Sequence, residues 1–279
     1  LEIIGIVGAG QMGAGIAQTF AMHGFEVKLF DLIPESVKGA LEKIGARLTS
    51  LVKKGVLQNA DEVLARITPL DLLNDFVNCS VVIEAVREDF EIKATLLKKL
   101  DTILPRESII ASNTSSISIT KLGAATSRAE KVIGMHFMNP VPVMQLVEVI
   151  PGLATSSTTL QRIFELVRLI KKVTVRGVDT PGFIVNRILV PFVNEAIFLL
   201  QEGVLKEDID QALVLGTNQP MGPLRLADFV GLDTLLAILR VLHDGLGEDK
   251  YRPCPLLINY VNAGWFGEKS GRGFYIYNK

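Results

Sequence analysis

Only two cysteines, Cys79 and Cys254, occur in 279 residues, and they lie far apart. That scarcity excludes a disulfide framework or a paired metal knuckle and predicts two buried thiols in a reducing compartment, the cytoplasm. Charge of one sign is also missing. With 29 basic and 30 acidic residues the formal net charge is -1, so no general attraction toward nucleic acid or an anionic membrane surface is implied. No long apolar run is uninterrupted either. The longest, Phe183 to Leu200, contains Asn186, Arg187, Asn194 and Glu195, side chains costly in lipid, and it reads as a buried helix or a subunit interface. No His, Cys and carboxylate cluster has metal-ligand spacing. No internal repeat or low-complexity tract is present. The opening Leu1-Glu2-Ile3-Ile4 is in a strand pattern at once, without the charged and apolar regions of a secretory signal.

What is present is an apolar fraction of 48%, enough at this length to bury a substantial core in two modest domains. Ile3 to Val7 feeds a glycine loop, and Ala14 to His23 carries apolar residues at helical spacing until Gly24. Glu26 to Phe30 is a second strand, ending at Asp31. Pro34-Glu35 opens a long amphipathic stretch to about Val56, with Leu41, Ile44, Leu48, Leu51 and Val52 on one side, and a shorter helix follows near Asp61 to Ile67. This helical pair, near residues 35–67, is expected to project from the sheet. Val81 to Glu84, Ser108 to Ala111 and Lys131 to His136 read as buried strands, with a helical stretch near Glu91 to Leu104. Leu146 to Ile150, a helix through Thr158 to Lys171, and Thr174 to Arg176 complete a doubly wound, parallel α/β domain of the Rossmann type over residues 1–180. The boundary is placed at Asp179-Thr180-Pro181-Gly182. Residues 181–279 then form a smaller all-helical domain, with no convincing strand before the tail Gly271 to Tyr277.

In Gly8-Ala9-Gly10-Gln11-Met12-Gly13 the first glycine permits a tight turn, the second lets backbone approach a pyrophosphate, and the third lets helix pack on strand. Alone the hexad says little. Between a strand and a helix, with Asp31 at a strand end 18 residues after Gly13, it predicts a dinucleotide site over Gly8, Gly10, Gln11, Met12 and Gly13. A carboxylate at Asp31 accepts from ribose hydroxyls and repels a 2′-phosphate, and Leu32-Ile33 offer no arginine, so NAD is favoured over NADP. His136 ends a strand, Asn139-Pro140-Val141-Pro142 breaks the ladder, and a return along Leu146 to Ile150 centred near Pro142 would set Glu148 opposite His136. A carboxylate on one imidazole nitrogen prepares the other for proton transfer. Spacing alone leaves a strand-end histidine and an unrelated glutamate equally open.

These motifs occur with Ser112-Asn113-Thr114-Ser115-Ser116, His136-Phe137-Met138-Asn139-Pro140, Thr180-Pro181-Gly182-Phe183-Ile184-Val185-Asn186-Arg187, Pro220-Met221-Gly222-Pro223 and Gly267 to Tyr275. Over nearly its whole length the chain resembles the L-3-hydroxyacyl-CoA dehydrogenases, and within them it looks like the single-function 3-hydroxybutyryl-CoA dehydrogenases of bacteria or archaea. The resemblance implies hydride exchange between a 3-hydroxyacyl-CoA and NAD. It implies that His136 is the general acid/base and Glu148 its orienting carboxylate. Ser115 and Asn186 then hold the substrate's reacting end. Glu88, Lys93, Ser115, Asn139 and Lys269 line the nicotinamide half of the cofactor, and Lys54, on the helical pair, meets a CoA phosphate. Plainer readings stand beside these: Glu88 and Lys93 as a solvated pair at a helix start, Lys54 as part of a solvated charged face. Two departures from the family pattern are Ser50, where a second lysine can occur, and Met138, where an aromatic is usual. An acyl-CoA partner and a homodimer through the C-terminal domain are expected, the latter from the apolar Leu189, Val193, Ile197 and Leu200. Two rival readings stay open: a catalytically silent nucleotide-binding structural protein, and a hydroxyacid dehydrogenase that does not use CoA.

Overall fold

Short runs of branched apolar residues suit strands covered on both faces, and Ile3–Val7, Val81–Glu84 and Ile109–Ser112 form such strands, β1, β4 and β5. The computed structural model describes residues 2–277 and divides into two compact units between Asp179 and Thr180. In the first, β1 leads into α1 (Gln11–Met22), then β2 (Glu26–Phe30), α2 (Pro34–Lys53), α3 (Ala60–Leu64) and β3 (Ile67–Pro69). After β4 come α4 (Phe90–Ile103), β5, α5 (Ile119–Gly123), β6 (Val132–Phe137), β7 (Leu146–Pro151), α6 (Ser157–Leu169) and β8 (Val173–Arg176). The eight strands make one sheet in the order β3-β2-β1-β4-β5-β6-β7-β8. Every pairing is parallel except β6 with β7. Chain order reverses between β1 and β4, the place where open α/β sheets leave a crevice beyond their carboxyl ends.

Two elements depart from the sequence expectation, the short helix α5, which it did not include, and β3. The helix expected near Asp61 to Ile67 stops at Leu64, and Ile67 to Pro69 instead pair with β2 as an edge strand. Apolar spacing over so short a run fits either element. The β-branched Ile67 and Thr68 decide for strand, and Pro69 is tolerated because β3 has one neighbour only. The helical pair is rooted in the sheet's core: Val37, Ala40, Ile44, Leu48 and Val63 are buried there, whereas Lys53 to Val56, at the far end of α2, are exposed.

The second unit contains α7 (Val185–Gln201), α8 (Lys206–Thr217), α9 (Pro223–Val230), α10 (Leu232–Leu246) and α11 (Pro255–Asn262) around its own apolar core. One of the polar residues that interrupt α7 is satisfied within the unit: buried Asn194 donates to Arg252 O (2.9 Å) and accepts from Cys254 N (2.9 Å), whereas Glu195 is exposed. Val193 and Ile197 lie in this core, so the apolar surface left over comes from other residues, among them Ile188, Leu199, Val204 and Leu205. The tail is held by Asp228, whose fully buried carboxylate accepts from Phe274 N (2.9 Å), Tyr275 N (2.9 Å) and Tyr277 OH (3.0 Å). Pairing in the tail is limited to single bridges, Gly267 with Arg272 and Arg272 with Ile276. Cys79 and Cys254 are both free and buried, one in each unit. Among the described residues, no helix is long and apolar enough to cross a membrane.

Candidate active site

The glycine loop leaves β1 in a conformation that side chains resist. Gly8 has φ +104°, and a Cβ there would lie 2.5 Å from Ala85 O. A Cβ on Gly13 would lie 1.8 Å from Gly8 O, so the third glycine is required by the approach of α1 to the loop. Gly10 differs: a Cβ on it would meet nothing within 4 Å. That open space lies at the start of α1, which has no side-chain cap and no acidic residue in its first turn. The leading N–H groups of a helix have no acceptor within it, so those of Gln11, Met12 and Gly13 suit an anion such as a pyrophosphate. Asp31, just beyond β2, is drawn into the same loop. Its Oδ2 accepts from Ala9 N (2.7 Å) and its Oδ1 from Ile33 N (3.0 Å). Leu32 and Ile33 next to it are exposed.

At the other side of the crevice, β6 and β7 pair in the register that sets His136 against Glu148. The His136 Nδ1 to Glu148 Oε2 distance is 2.6 Å, with Glu148 fully buried and His136 nearly so. A carboxylate accepting from Nδ1–H leaves the lone pair of neutral imidazole on Nε2 and stabilises the imidazolium when Nε2 is protonated. The hairpin between these strands is fastened from three directions. Lys172 Nζ donates to Val141 O (2.7 Å) and Met144 O (2.6 Å), and burial pulls that ammonium below the ordinary lysine range. A Cβ on Gly15 of α1 would come within 2.9 Å of Val141, so the hairpin packs on the glycine-loop helix. Gln11 Nε2 donates to Asn139 Oδ1 (3.0 Å), joining two of the expected cofactor residues.

Between these two features lies a charged cluster at the ends of β4 and β5. Glu84, fully buried, accepts from Lys93 Nζ (2.6 Å), Val86 N (2.7 Å) and Ser112 Oγ (2.6 Å). Burial pushes its carboxyl up, opposed by Lys93 and by the Ser112 and Val86 donors. Glu88 Oε1 accepts from Thr114 Oγ1 (2.6 Å), Ser115 N (2.9 Å), Ser116 N (3.0 Å) and Ser116 Oγ (2.9 Å), and its Oε2 lies 3.4 Å from Lys93 Nζ. Desolvation works against ionisation of Glu88, but Lys93 and the donors from Thr114, Ser116 and Ser115 outweigh it, so its carboxyl is held below the usual range. Glu88 and Lys93 are therefore part of a bonded cluster and not a solvated helix-start pair. Asn113 Oδ1 accepts from Phe137 N (2.9 Å), extending the β5–β6 ladder beside His136.

Twelve of the residues singled out from the sequence thus lie in the first unit at or beside this crevice: Gly8, Gly10, Gln11, Met12, Gly13, Asp31, Glu88, Lys93, Ser115, His136, Asn139 and Glu148. Lys54 is exposed at the end of α2. Asn186 and Lys269 belong to the second unit, Asn186 half-buried in the first turn of α7 and Lys269 paired with Asp233 at 2.5 Å. Sequence reading missed Glu84, Asn113 and Lys172. A carboxylate closing an apolar parallel strand was a visible sign for Glu84, whereas Lys172 carried none. Among the described residues, no group of three or more His, Cys, Asp or Glu is placed to hold a metal ion.

Known proteins match this chain in both units. Residues 3–180 match the 3-hydroxyacyl-CoA dehydrogenase NAD binding domain, and residues 182–277 match the C-terminal domain of the same enzymes. A probable 3-hydroxybutyryl-CoA dehydrogenase of Bacillus subtilis is 51% identical over 100% of this chain and 98% of its own length. A 3-hydroxybutyryl-CoA dehydrogenase of Bradyrhizobium diazoefficiens is 50% identical, covering 99% of this chain and 96% of its own. The crystal structure of the (S)-3-hydroxybutyryl-CoA dehydrogenase of Ralstonia eutropha superposes with a TM-score of 0.97 at 46% identity, over 100% of both chains. With both domains matched end to end and the glycine loop built for a dinucleotide, the chain belongs to the 3-hydroxyacyl-CoA dehydrogenase family and its first unit is that family's NAD binding domain.

Proposed function

We propose that this protein interconverts (S)-3-hydroxybutyryl-CoA and acetoacetyl-CoA with NAD. The observation that carries the reading is the 2.6 Å His136–Glu148 pair at the carboxyl end of β6. Three strand spacings, about 14 Å, separate β6 from the glycine loop on β1, so residues at both places could line one bound dinucleotide. A nicotinamide cofactor held there would supply the acceptor for hydride from C3 of the hydroxyacyl group. In that direction neutral His136 takes the C3 hydroxyl proton on Nε2, and Glu148 stabilises the resulting imidazolium. In the reverse direction the imidazolium returns the proton to the C3 oxygen. Ser115 and Asn186, by resemblance, hold the oxygens of the reacting end, a positioning and electrostatic contribution. Gln11, Met12 and Gly13 would hold the pyrophosphate through backbone N–H groups, and Asp31 the adenosine ribose. Asn139, Lys93, Glu88 and Lys269 are assigned by resemblance to the nicotinamide half.

The direct test is loss of NADH absorbance with acetoacetyl-CoA and with free acetoacetate. Turnover of the thioester alone is expected, and equal turnover of the free acid would remove CoA from the reading. Lys54 refines this test. Exposed at the end of α2, it can meet a CoA phosphate without touching the chemistry, an interaction worth about 1 kcal/mol or less and weakened by salt. Lys54→Ala should raise KM for acetoacetyl-CoA several-fold, leave kcat intact, and lose its effect at high ionic strength or with a truncated pantetheine thioester. Equal damage with both thioesters would assign Lys54 to the fold.

Asp31 is proposed to set the preference for NAD. Asp31→Ala removes the ribose acceptor, the charge that repels a 2′-phosphate, and the bond to Ala9 N. The ratio of kcat/KM for NAD over NADP is expected to fall about tenfold or more, the scale of one charge-assisted hydrogen bond. An unchanged ratio would place discrimination elsewhere. The exposed apolar residues of the helical unit, Ile188, Leu199, Val204 and Leu205, support a homodimer through that unit. Light scattering is expected to give twice the chain mass at micromolar concentration, and a monomer would exclude it. The buried free thiols fit a cytoplasmic setting.

A further inference from the structure

We propose that Glu84, to which neither sequence nor resemblance assigns a role, is a positioning residue for the proposed reaction: through Lys93 and Glu88 it holds the Thr114–Ser116 loop in its working conformation. The inference rests on the dehydrogenase reading above.

Three links make the chain. The first joins Glu84 to Lys93. Lys93 Nζ is buried and has acceptors at Glu84 Oε1 (2.6 Å) and Val86 O (3.2 Å), with Glu88 Oε2 farther away at 3.4 Å. Glu84 is the nearer carboxylate, and it is itself fixed by Ser112 Oγ and Val86 N. The second link is the longer contact between Lys93 and Glu88. Because Glu84 takes most of the ammonium's attraction, only one oxygen of Glu88 is engaged, and weakly. The third link depends on that restraint. Glu88 Oε1 stays turned to the loop and accepts from Thr114 Oγ1, Ser115 N, Ser116 N and Ser116 Oγ.

Neutralising Glu84 changes the balance. Lys93 would then have one carboxylate neighbour, and attraction in a buried setting acts strongly over 3 to 4 Å. The ammonium and Glu88 would close on each other, and Glu88 would turn away from the Ser115 and Ser116 amides. Other charges nearby do not substitute. Arg87 and Asp89 pair with each other at 3.5 Å on the surface, and Lys121 of α5 lies over the Phe90 ring.

Glu84→Gln keeps the shape and removes the charge. Hydrogen exchange of the Ser115 and Ser116 amides, measured without substrate, is expected to quicken about tenfold or more, while strand amides of β1 and β6 keep their protection. In the same protein kcat for acetoacetyl-CoA should fall about tenfold or more, as misplacement of a positioning loop requires. Kd for ADP-ribose, which has no nicotinamide, should stay within about twofold, since the glycine loop and Asp31 are untouched. The double variant Glu84→Gln with Lys93→Met removes the uncompensated ammonium. It should recover the thermal midpoint and return exchange at Ser115 and Ser116 toward the wild-type rate, since no ammonium is left to draw Glu88 away, and it carries the test if the single variant does not fold. Unchanged exchange at Ser115 and Ser116 would overturn the proposal. So would a double variant that regains the thermal midpoint while Ser115 and Ser116 still exchange fast, because the ammonium would then not be what draws Glu88 from the loop. A wild-type protein inactive on acetoacetyl-CoA would sink the functional reading, and the exchange data would still decide whether Glu84 controls the loop.

Discussion

His136→Ala is expected to lower kcat about 10²- to 10⁴-fold, the usual contribution of a positioned general acid/base, while the affinity for NADH, measured by fluorescence titration, stays close to wild type. The imidazole lies on β6, three strands from the glycine loop, so its loss removes the proton acceptor and not the dinucleotide site. Glu148→Gln separates charge from shape. The amide fills the same buried volume opposite His136 but cannot stabilise an imidazolium as a carboxylate does, so kcat should fall about tenfold or more, in both directions of reaction. Near-wild-type turnover in either variant would mean that another group moves the proton.

The largest loss of stability is expected in the helical unit, from Asp228→Ala. That side chain is the common acceptor for Phe274 N, Tyr275 N and Tyr277 OH, and its removal strands two buried amides. At about 1–3 kcal/mol for each unsatisfied group, a cost of roughly 3–5 kcal/mol follows. The single tryptophan, Trp265, belongs to the same unit and lies against Tyr260 and Arg272. Its fluorescence in urea should therefore follow this unit, with a lowered midpoint in the variant, and an unchanged midpoint would show that the tail is held by other contacts. A pH dependence goes with it. Burial, first of all, raises the Asp228 carboxyl above its ordinary value, with Asp210 nearby adding to the rise against the donors from Tyr275, Phe274 and Tyr277. The folded unit therefore binds that proton more tightly than the unfolded chain. Its contribution is fully present below the unfolded pKa, about 3.9, and is lost as pH rises through the elevated folded value.

Much of the crevice was legible because local pattern and local structure coincide there. Ile3 to Gly13 reads as strand, loop and helix from consecutive residues, and the dyad needs only a short hairpin: with the bend near Pro142, positions 136 and 148 must meet if β6 and β7 are neighbours. What stayed hidden depends on which strands lie side by side. Glu84 and Ser112 are 28 positions apart and become partners only because β4 pairs with β5. Lys172 reaches the hairpin across β7, and a lysine after a helix gives no hint of that. β3 was not anticipated, and its first residue, Ile67, closes the expected helix, because three residues cannot display a period. In α7 the apolar residues were visible, but not that Val193 and Ile197 face their own core while Ile188 faces outward.

The placement of the two thiols turns the protein into its own pair of opening sensors. Cys79 is in the sheet unit and Cys254 in the helical unit, and both are sealed from solvent. Burial, partly offset by Lys28, pushes the Cys79 thiol up to about 11, so at neutral pH it is both covered and almost wholly protonated, and burial raises the Cys254 thiol as well. Alkylating reagents react with the thiolate, so each cysteine can be modified only while its own surroundings are open. The rate of labelling at each site, read by mass spectrometry, reports the opening of each unit separately in the unmodified chain, and the same burial leaves the protein slow to respond to oxidants until one of its units opens.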